Sequence, residues 1–151
     1  MSDWRKDVEP LTLKGQIAVP YTWHVGDVGS RFLVALRDEK KILGSKCPEC
    51  GKVFVPARKN CGTCFVDISE WVELKPEGVI EAYTIVHYNH PIQPVKPPFA
   101  YALIKLDGAD VGFLHLIRKD LGKLKNGLRV KAEFSGERTG KILDIDSFEL
   151  V

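Results

Sequence analysis

Cys47-Pro48-Glu49-Cys50 and, ten residues further on, Cys61-Gly62-Thr63-Cys64 hold all four cysteines of the chain. A C-x-x-C turn puts two sulfurs on one side of a tight knuckle, and two facing knuckles supply four thiolates at tetrahedral angles. That is the ligand set of a structural zinc site, with no coordination position left open for chemistry. Gly51 follows the first pair and Gly62 sits inside the second, where the backbone must turn sharply. The pattern predicts a zinc ribbon with Cys47, Cys50, Cys61 and Cys64 as ligands to a structural Zn2+. Iron in the same Cys-only site is the alternative. Two disulfides would need an oxidising compartment, whereas the stretch from Met1 to Asp7 has no apolar signal core. A redox C-x-x-C would open a helix in a βαβ unit, and here both pairs lie among turn residues.

Composition bounds the class. The chain has 151 residues, 44% hydrophobic and 28% charged, with a net charge of +2. That balance is ordinary for a globular protein and too weak to announce a nucleic-acid binder. No apolar run approaches the ~20 residues that span a bilayer, so the expectation is a cytoplasmic protein without a membrane partner. Charge is unevenly placed. Arg31, Arg37, Lys40, Lys41, Lys46, Lys52, Arg58 and Lys59 stand against Asp38, Glu39 and Glu49. A basic lobe of this kind suits a phosphate-bearing ligand, and a merely solvated surface is the plainer alternative.

Three units are expected: an N-terminal arm and helix over 1–45, the ribbon over 46–75, and a barrel over 76–151. In the arm, punctuated by Pro10, Gly15, Pro20 and Gly26, the residues Ile17, Val19, Tyr21, Trp23 and Val25 alternate with others. This predicts an extended segment that packs on its own domain or on a partner. Ser30 is the expected N-cap of a helix from Arg31 to about Lys41, stopped by Gly44. Ile42-Leu43 and Val53-Val55 are the expected ribbon strands. Beyond Pro76 and Gly78, strands are predicted over 79–88, 99–106, 111–117, 128–134 and 142–148. Asp107-Gly108 and Asn126-Gly127 mark turns, and a short helix is expected within 119–125. Five strands with a short helix between the third and fourth are the pattern of an OB-fold barrel. The expected class is therefore mostly β.

Catalytic motifs are scarce. There is no phosphate-cradling glycine loop and no G-x-S-x-G, and the cysteines are committed to metal. His87 and His90, at the edge of a Pro-rich loop, have no carboxylate nearby in sequence to orient a ring, which favours a polar lining or partner contact. His115, inside a strand, is expected to be structural. Two binding modes remain. A ribbon-plus-OB protein can hold single-stranded nucleic acid, but the barrel here is rich in Glu and Asp and lacks an interleaved basic and aromatic face. Alternatively, Lys46, Lys52, Arg58 and Lys59 around the knuckles, with Phe54 and Phe65 as apolar covers, hold a phosphate-bearing small molecule.

The order of features resembles a family in which a rubredoxin-like zinc ribbon precedes an acyl-CoA-associated OB fold. The residues that carry it are Cys47-x-x-Cys50-Gly51, Val55-Pro56-Ala57-Arg58, Cys61-x-x-Cys64, Trp71, the strand Gly78 to His87, Pro98 to Gly108, Gly127-x-x-Val130 and Ile142 to Phe148. The likeness spans about residues 30–151, and the arm is similar to that of a subset of members. Ala57 departs from it where a second proline is usual. The resemblance implies a non-catalytic subunit of a thiolase (acyl-CoA C-acyltransferase) or hydroxymethylglutaryl-CoA synthase type hetero-oligomer. It would bind the catalytic chain and help to hold CoA or acyl-CoA through Lys46, Lys52, Arg58, Lys59 and Phe54. Aromatic substrates such as benzoylsuccinyl-CoA fall within its range. The catalytic residues would belong to the partner.

Overall fold

A computed structural model describes residues 9, 11–15, 17, 19 and 21–151. Of the features noted above, Met1 to Asp7, Pro10 and Pro20 lie outside the described residues. The first regular element is helix α1, Gly26–Glu39, which buries Phe32, Ala35 and Leu36. Their spacing of three and one puts them on a single stripe. The helix opens earlier than Ser30 predicts, because His24 Nδ1 accepts the Gly26 N–H at 3.0 Å and Asp27 lies in the positively charged first turn. Ser30 is thereby an interior residue. Nor is Gly44 the stop: Lys40 takes the left-handed conformation (φ 56°), and the Lys41 N–H returns to the Ala35 carbonyl at 3.2 Å.

Gly44 instead belongs to strand β1, Ile42–Lys46, which lies between β2, Val53–Phe54, and β3, Glu70–Leu74, in an antiparallel sheet. A Cβ at Gly44 would meet Val53 Cγ1 at 3.0 Å and the Phe54 carbonyl at 3.1 Å, so glycine lets β2 approach. The pairing of all of β1 with all of β3 carries this sheet across position 45.

Strands β4 (Glu77–Val86), β5 (Phe99–Leu106), β6 (Phe113–Ile117), β7 (Arg129–Phe134) and β8 (Ile145–Leu150) close a barrel in the order β4-β5-β6-β8-β7. A 3-10 turn at Leu121–Lys123 joins β6 to β7. This is the five-stranded OB arrangement that the turn signals predict. Two strands differ from expectation. The alternation of Ile80, Ala82, Thr84 and Val86 breaks at a bulge between Ile80 and Ala82, so Ile80 enters the barrel core while Ala82 and Thr84 face outward; Val86, on that same outward face, is buried with Phe99 and Leu116 instead. The last strand starts at Ile145 rather than Ile142. Buried Asp144 holds the preceding turn by accepting the N–H groups of Thr139, Gly140 and Lys141 at 2.9, 2.7 and 3.2 Å.

The barrel interior is filled by Ile104, Ile117, Val130, Ile145 and Phe148, all fully buried, while Phe99 is buried on the other face of β5 with Val86 and Leu116. Phe32, Leu36, Ile42, Val53 and Leu74 belong to a cluster continuous with barrel residues such as Leu106 and Phe113. Helix, ribbon sheet and barrel therefore share one main apolar core, beside which the knuckles keep a small cluster of their own around Cys47, Phe54, Cys61 and Ile68. Among the described residues, no helix is long and apolar enough to cross a membrane.

Candidate metal centre and its basic rim

Two matching hairpin turns build the centre. In the first, the Cys47 N–H donates to Lys52 O at 2.9 Å and the Gly51 N–H to Cys47 O at 3.0 Å. In the second, the Cys61 N–H donates to Val66 O at 2.9 Å and the Phe65 N–H to Cys61 O at 3.0 Å. Gly51 and Phe65 thus occupy equivalent places, and both have positive φ, 72° and 59°. Only the first has the residue that such a turn favours. Phe65 pays for its position with strain and with a side chain left 84% exposed.

The sulfurs of Cys47, Cys50, Cys61 and Cys64 all lie within 4.8 Å of one another, and Cys50 and Cys61 are 3.7 Å apart. Four sulfurs at ~2.3 Å from a tetrahedral zinc would be about 3.8 Å apart. The residues therefore fit a metal ion with four thiolates. Electrostatics agrees. The N–H groups of Cys64 and Thr63, each 3.4 Å from Cys61 Sγ, pull that thiol down to about 6. The Cys64 thiol, hydrogen-bonded to Cys50 and crowded by the other sulfurs, is pushed up to about 12. The protein's own dipoles stabilise one thiolate and penalise the next, and a dication is the group that allows all four to ionise together. Cys47 and Cys61 are buried with Phe54 and Ile68, which shields the sulfurs from water on one side.

The five residues expected at a CoA site lie around this centre in unequal roles. Phe54 is 5% exposed, with the Arg58 guanidinium carbon 5.4 Å from its ring centre. Its ring serves the ribbon core, and Arg58 covers it. Ser45 fixes the Arg58 backbone from both sides: its hydroxyl oxygen accepts the Arg58 N–H at 2.8 Å and its O–H donates to the Arg58 carbonyl at 3.0 Å. Lys46 pairs with Glu70 at 3.4 Å, while Lys52 reaches the Thr63 hydroxyl at 3.4 Å. Arg58 and Lys59 are exposed.

The histidines go elsewhere. His87 and His90 lie at the far end of β4, in the loop 87–98 that Gln93 braces by accepting the His90 N–H at 2.9 Å and donating to Tyr88 O at 3.1 Å. His115 is buried; its Nε2 lies 3.2 Å from the Ile142 carbonyl, while Nδ1 has no hydrogen-bond partner among the described residues. A carbonyl only accepts, so Nε2 bears the proton. The sequence does not disclose a further site: three joined grooves on the outside of the barrel, which depend on register across three strands.

Comparison with known proteins follows the same division. Residues 35–70 match the rubredoxin-like zinc ribbon domain of ChsH2, and residues 71–135 match the C-terminal OB-fold domain of ChsH2. A DUF35-family protein of Sulfolobus solfataricus is 36% identical, with 71% of this chain and 78% of that one superposed at a TM-score of 0.59. A chain of the Ltp2-ChsH2(DUF35) aldolase shares the fold at a TM-score of 0.61, with 17% identity over 85% of this chain and 95% of that one. A DUF35 domain-containing scaffold protein of Methanocaldococcus jannaschii is 26% identical over 73 residues, 48% of this chain. The match takes in about half of that relative's length (52%). With a four-cysteine ribbon joined to a closed five-stranded barrel, and with this likeness across both parts, the chain belongs to the DUF35 family of zinc-ribbon and OB-fold proteins.

Proposed function

We propose that this chain is the non-catalytic, zinc-binding subunit of a thiolase-type (acyl-CoA C-acyltransferase) complex. In this role it binds the catalytic chain and helps to hold CoA or an acyl-CoA, with aromatic acyl groups such as benzoylsuccinyl-CoA within its range. One observation carries the proposal: the chain's four thiols converge on one metal centre. A thiol committed to metal cannot serve as an acyl-accepting nucleophile, so the reacting thiol belongs to another chain. The description of one relative as a scaffold protein, and the fold shared with a chain of an aldolase complex, support a role in assembly.

In the proposed complex Zn2+ staples the two knuckles of the lobe 46–75 together, with the arm and helix 1–45 leading into the lobe and the barrel 76–151 following it. Lys52, Arg58 and Lys59 meet the phosphates of CoA; Lys46, already paired, contributes less. Phe54 acts from beneath by holding Arg58. A CoA nucleotide carries several negative charges, and cations fixed on a rigid lobe bind it without losing much side-chain freedom. The compartment proposed is the cytoplasm.

Co-expression with a thiolase-type catalytic chain tests the proposal. A stable hetero-oligomer is expected, and Arg58→Glu should weaken its CoA affinity by about tenfold, the loss of one charge-assisted contact. The catalytic chain alone should bind CoA equally in both cases. A chain that stays alone, and that instead retards single-stranded DNA or RNA in a salt-dependent way, would overturn the proposal.

A further inference from the structure

The outer side of the barrel carries a second surface, chemically unlike the ribbon. Three grooves cross β4, β5 and β6. The largest, about 510 Å³, lies beside the loop 87–98; the next two are about 280 and 190 Å³. All three share Tyr101, and the second and third also share Leu114. Register makes them continuous. Leu103 on β5 faces Leu114 on β6, and Tyr101 faces Thr84 on β4. The band ends at Ile142 and Leu143, which line the third groove. Leu114 is 61% exposed, and Tyr83, Ile142 and Leu143 are 37%, 39% and 39% exposed.

No residue lining these grooves is Asp, Glu, Lys or Arg, in a chain of which 28% is charged. An apolar band of this kind marks an interaction surface. Its charge also selects the occupant. A phosphate or a salt-bridging side chain brought here would be stripped of water with no counter-charge to meet it. Nucleic acid is therefore a poor fit, and a protein surface with an uncharged centre is a good one. A second copy of the chain is the competing occupant, which the test below separates. Among the described residues of the arm, Leu13, Ile17 and Tyr21 are 93%, 91% and 77% exposed and do not cover the band.

We infer that the uncharged outer face of β4, β5 and β6 is the seat of the catalytic chain in the complex, opposite in character to the basic rim of the ribbon. This rests on the proposed function. The barrel holds the partner protein by burial of Tyr101, Leu103, Leu114 and Leu143, and the ribbon is left free for the charged ligand.

The test is assembly with the co-expressed thiolase-type chain, measured for wild type, Leu114→Glu and Leu143→Glu. Each variant should raise the Kd at least about 100-fold, the cost of burying an unpaired carboxylate. Metal content and Tm of the isolated variants should stay at wild-type values, because both side chains already reach solvent. Unchanged assembly of both variants overturns the inference and leaves the proposed function standing. Failure of the wild-type chain to assemble removes both. Two further results would also overturn it. One is an isolated wild-type dimer dissolved by Leu114→Glu, which would make a second copy the occupant. The other is a sharp rise in hydrophobic-dye binding on deletion of residues 1–24, which would mean that the arm covers the face.

Discussion

Asp110 and Val53, 57 residues apart in sequence, hold each other by two hydrogen bonds: the Val53 N–H donates to Asp110 Oδ2 at 2.8 Å, and the Asp110 N–H donates to the Val53 carbonyl at 3.0 Å. The pair joins ribbon strand β2 to the turn between barrel strands β5 and β6. Asp110→Ala should leave the Val53 amide without its acceptor and lower stability by about 1–3 kcal/mol. Asp110→Asn, which keeps a carbonyl oxygen in place, should recover much of the loss. Thermal melts of the three proteins decide it; equal Tm values would show that the contact is dispensable.

The metal centre predicts a stoichiometry and a dependence. Purified protein should carry ~1 equivalent of zinc, the content of a single four-thiolate site. Cys61→Ser should lose most of it, since this is the sulfur to which the backbone directs two N–H groups. Because ribbon and barrel share a core, removal of metal by a strong chelator should lower the Tm of the whole chain rather than produce a separate low-temperature step. Elemental analysis and calorimetry on the same samples provide both numbers.

His115 predicts a pH dependence with a definite sign. Burial lowers its pKa below the ordinary 6.5, because the charged ring would have to leave water. The unfolded chain therefore binds this proton more readily than the folded one. The neutral ring's contribution is fully present above pH 6.5, and it declines as pH falls from there towards the lower folded-state value. His115→Gln should flatten that part of the profile. Denaturant unfolding of both proteins between pH 7.5 and 5 is the measurement, and parallel curves would reject a role for His115.

Asp144 should be the most sensitive position outside the core. Its carboxylate accepts three consecutive amides, and its loss would release the turn at 139–141 that precedes β8. Asp144→Ala should cost about 2–4 kcal/mol, in the range for several buried hydrogen bonds to a charged group. It should also speed amide exchange at Thr139, Gly140 and Lys141. Exchange rates unchanged at those three amides would contradict the assignment.

What the sequence discloses follows the range of the physics involved. The ribbon is legible because metal chemistry demands one residue type at a fixed spacing, and Cys47, Cys50, Cys61 and Cys64 can be recognised one knuckle at a time. The barrel is legible because Asp107-Gly108 and Asn126-Gly127 turn the chain locally; Gly108 and Gly127 do adopt positive φ, 92° and 88°. Features that depend on a distant partner stayed hidden. Ser30 has a good capping side chain, but His24 and Asp27 start the helix a turn earlier. Gly44 has the look of a helix stop until β2 is set against it. The bulge after Ile80 turns Ala82 and Thr84 outward, and only with that turn does the uncharged face of the barrel come together. Phe54 looks like a free aromatic cover in sequence, and it is the tight packing around Cys47 and Cys61 that puts it beneath Arg58.

Strand β4 gives the molecule a ruler. Its first residue, Glu77, is joined by the Asp107 N–H to the ribbon end of the barrel, and its last, Val86, opens the loop 87–98. Ten residues of strand span about 30 Å. No small molecule touches both ends at once. A neighbour of protein size can contact both, and the number of residues in a single strand sets the distance between those contacts.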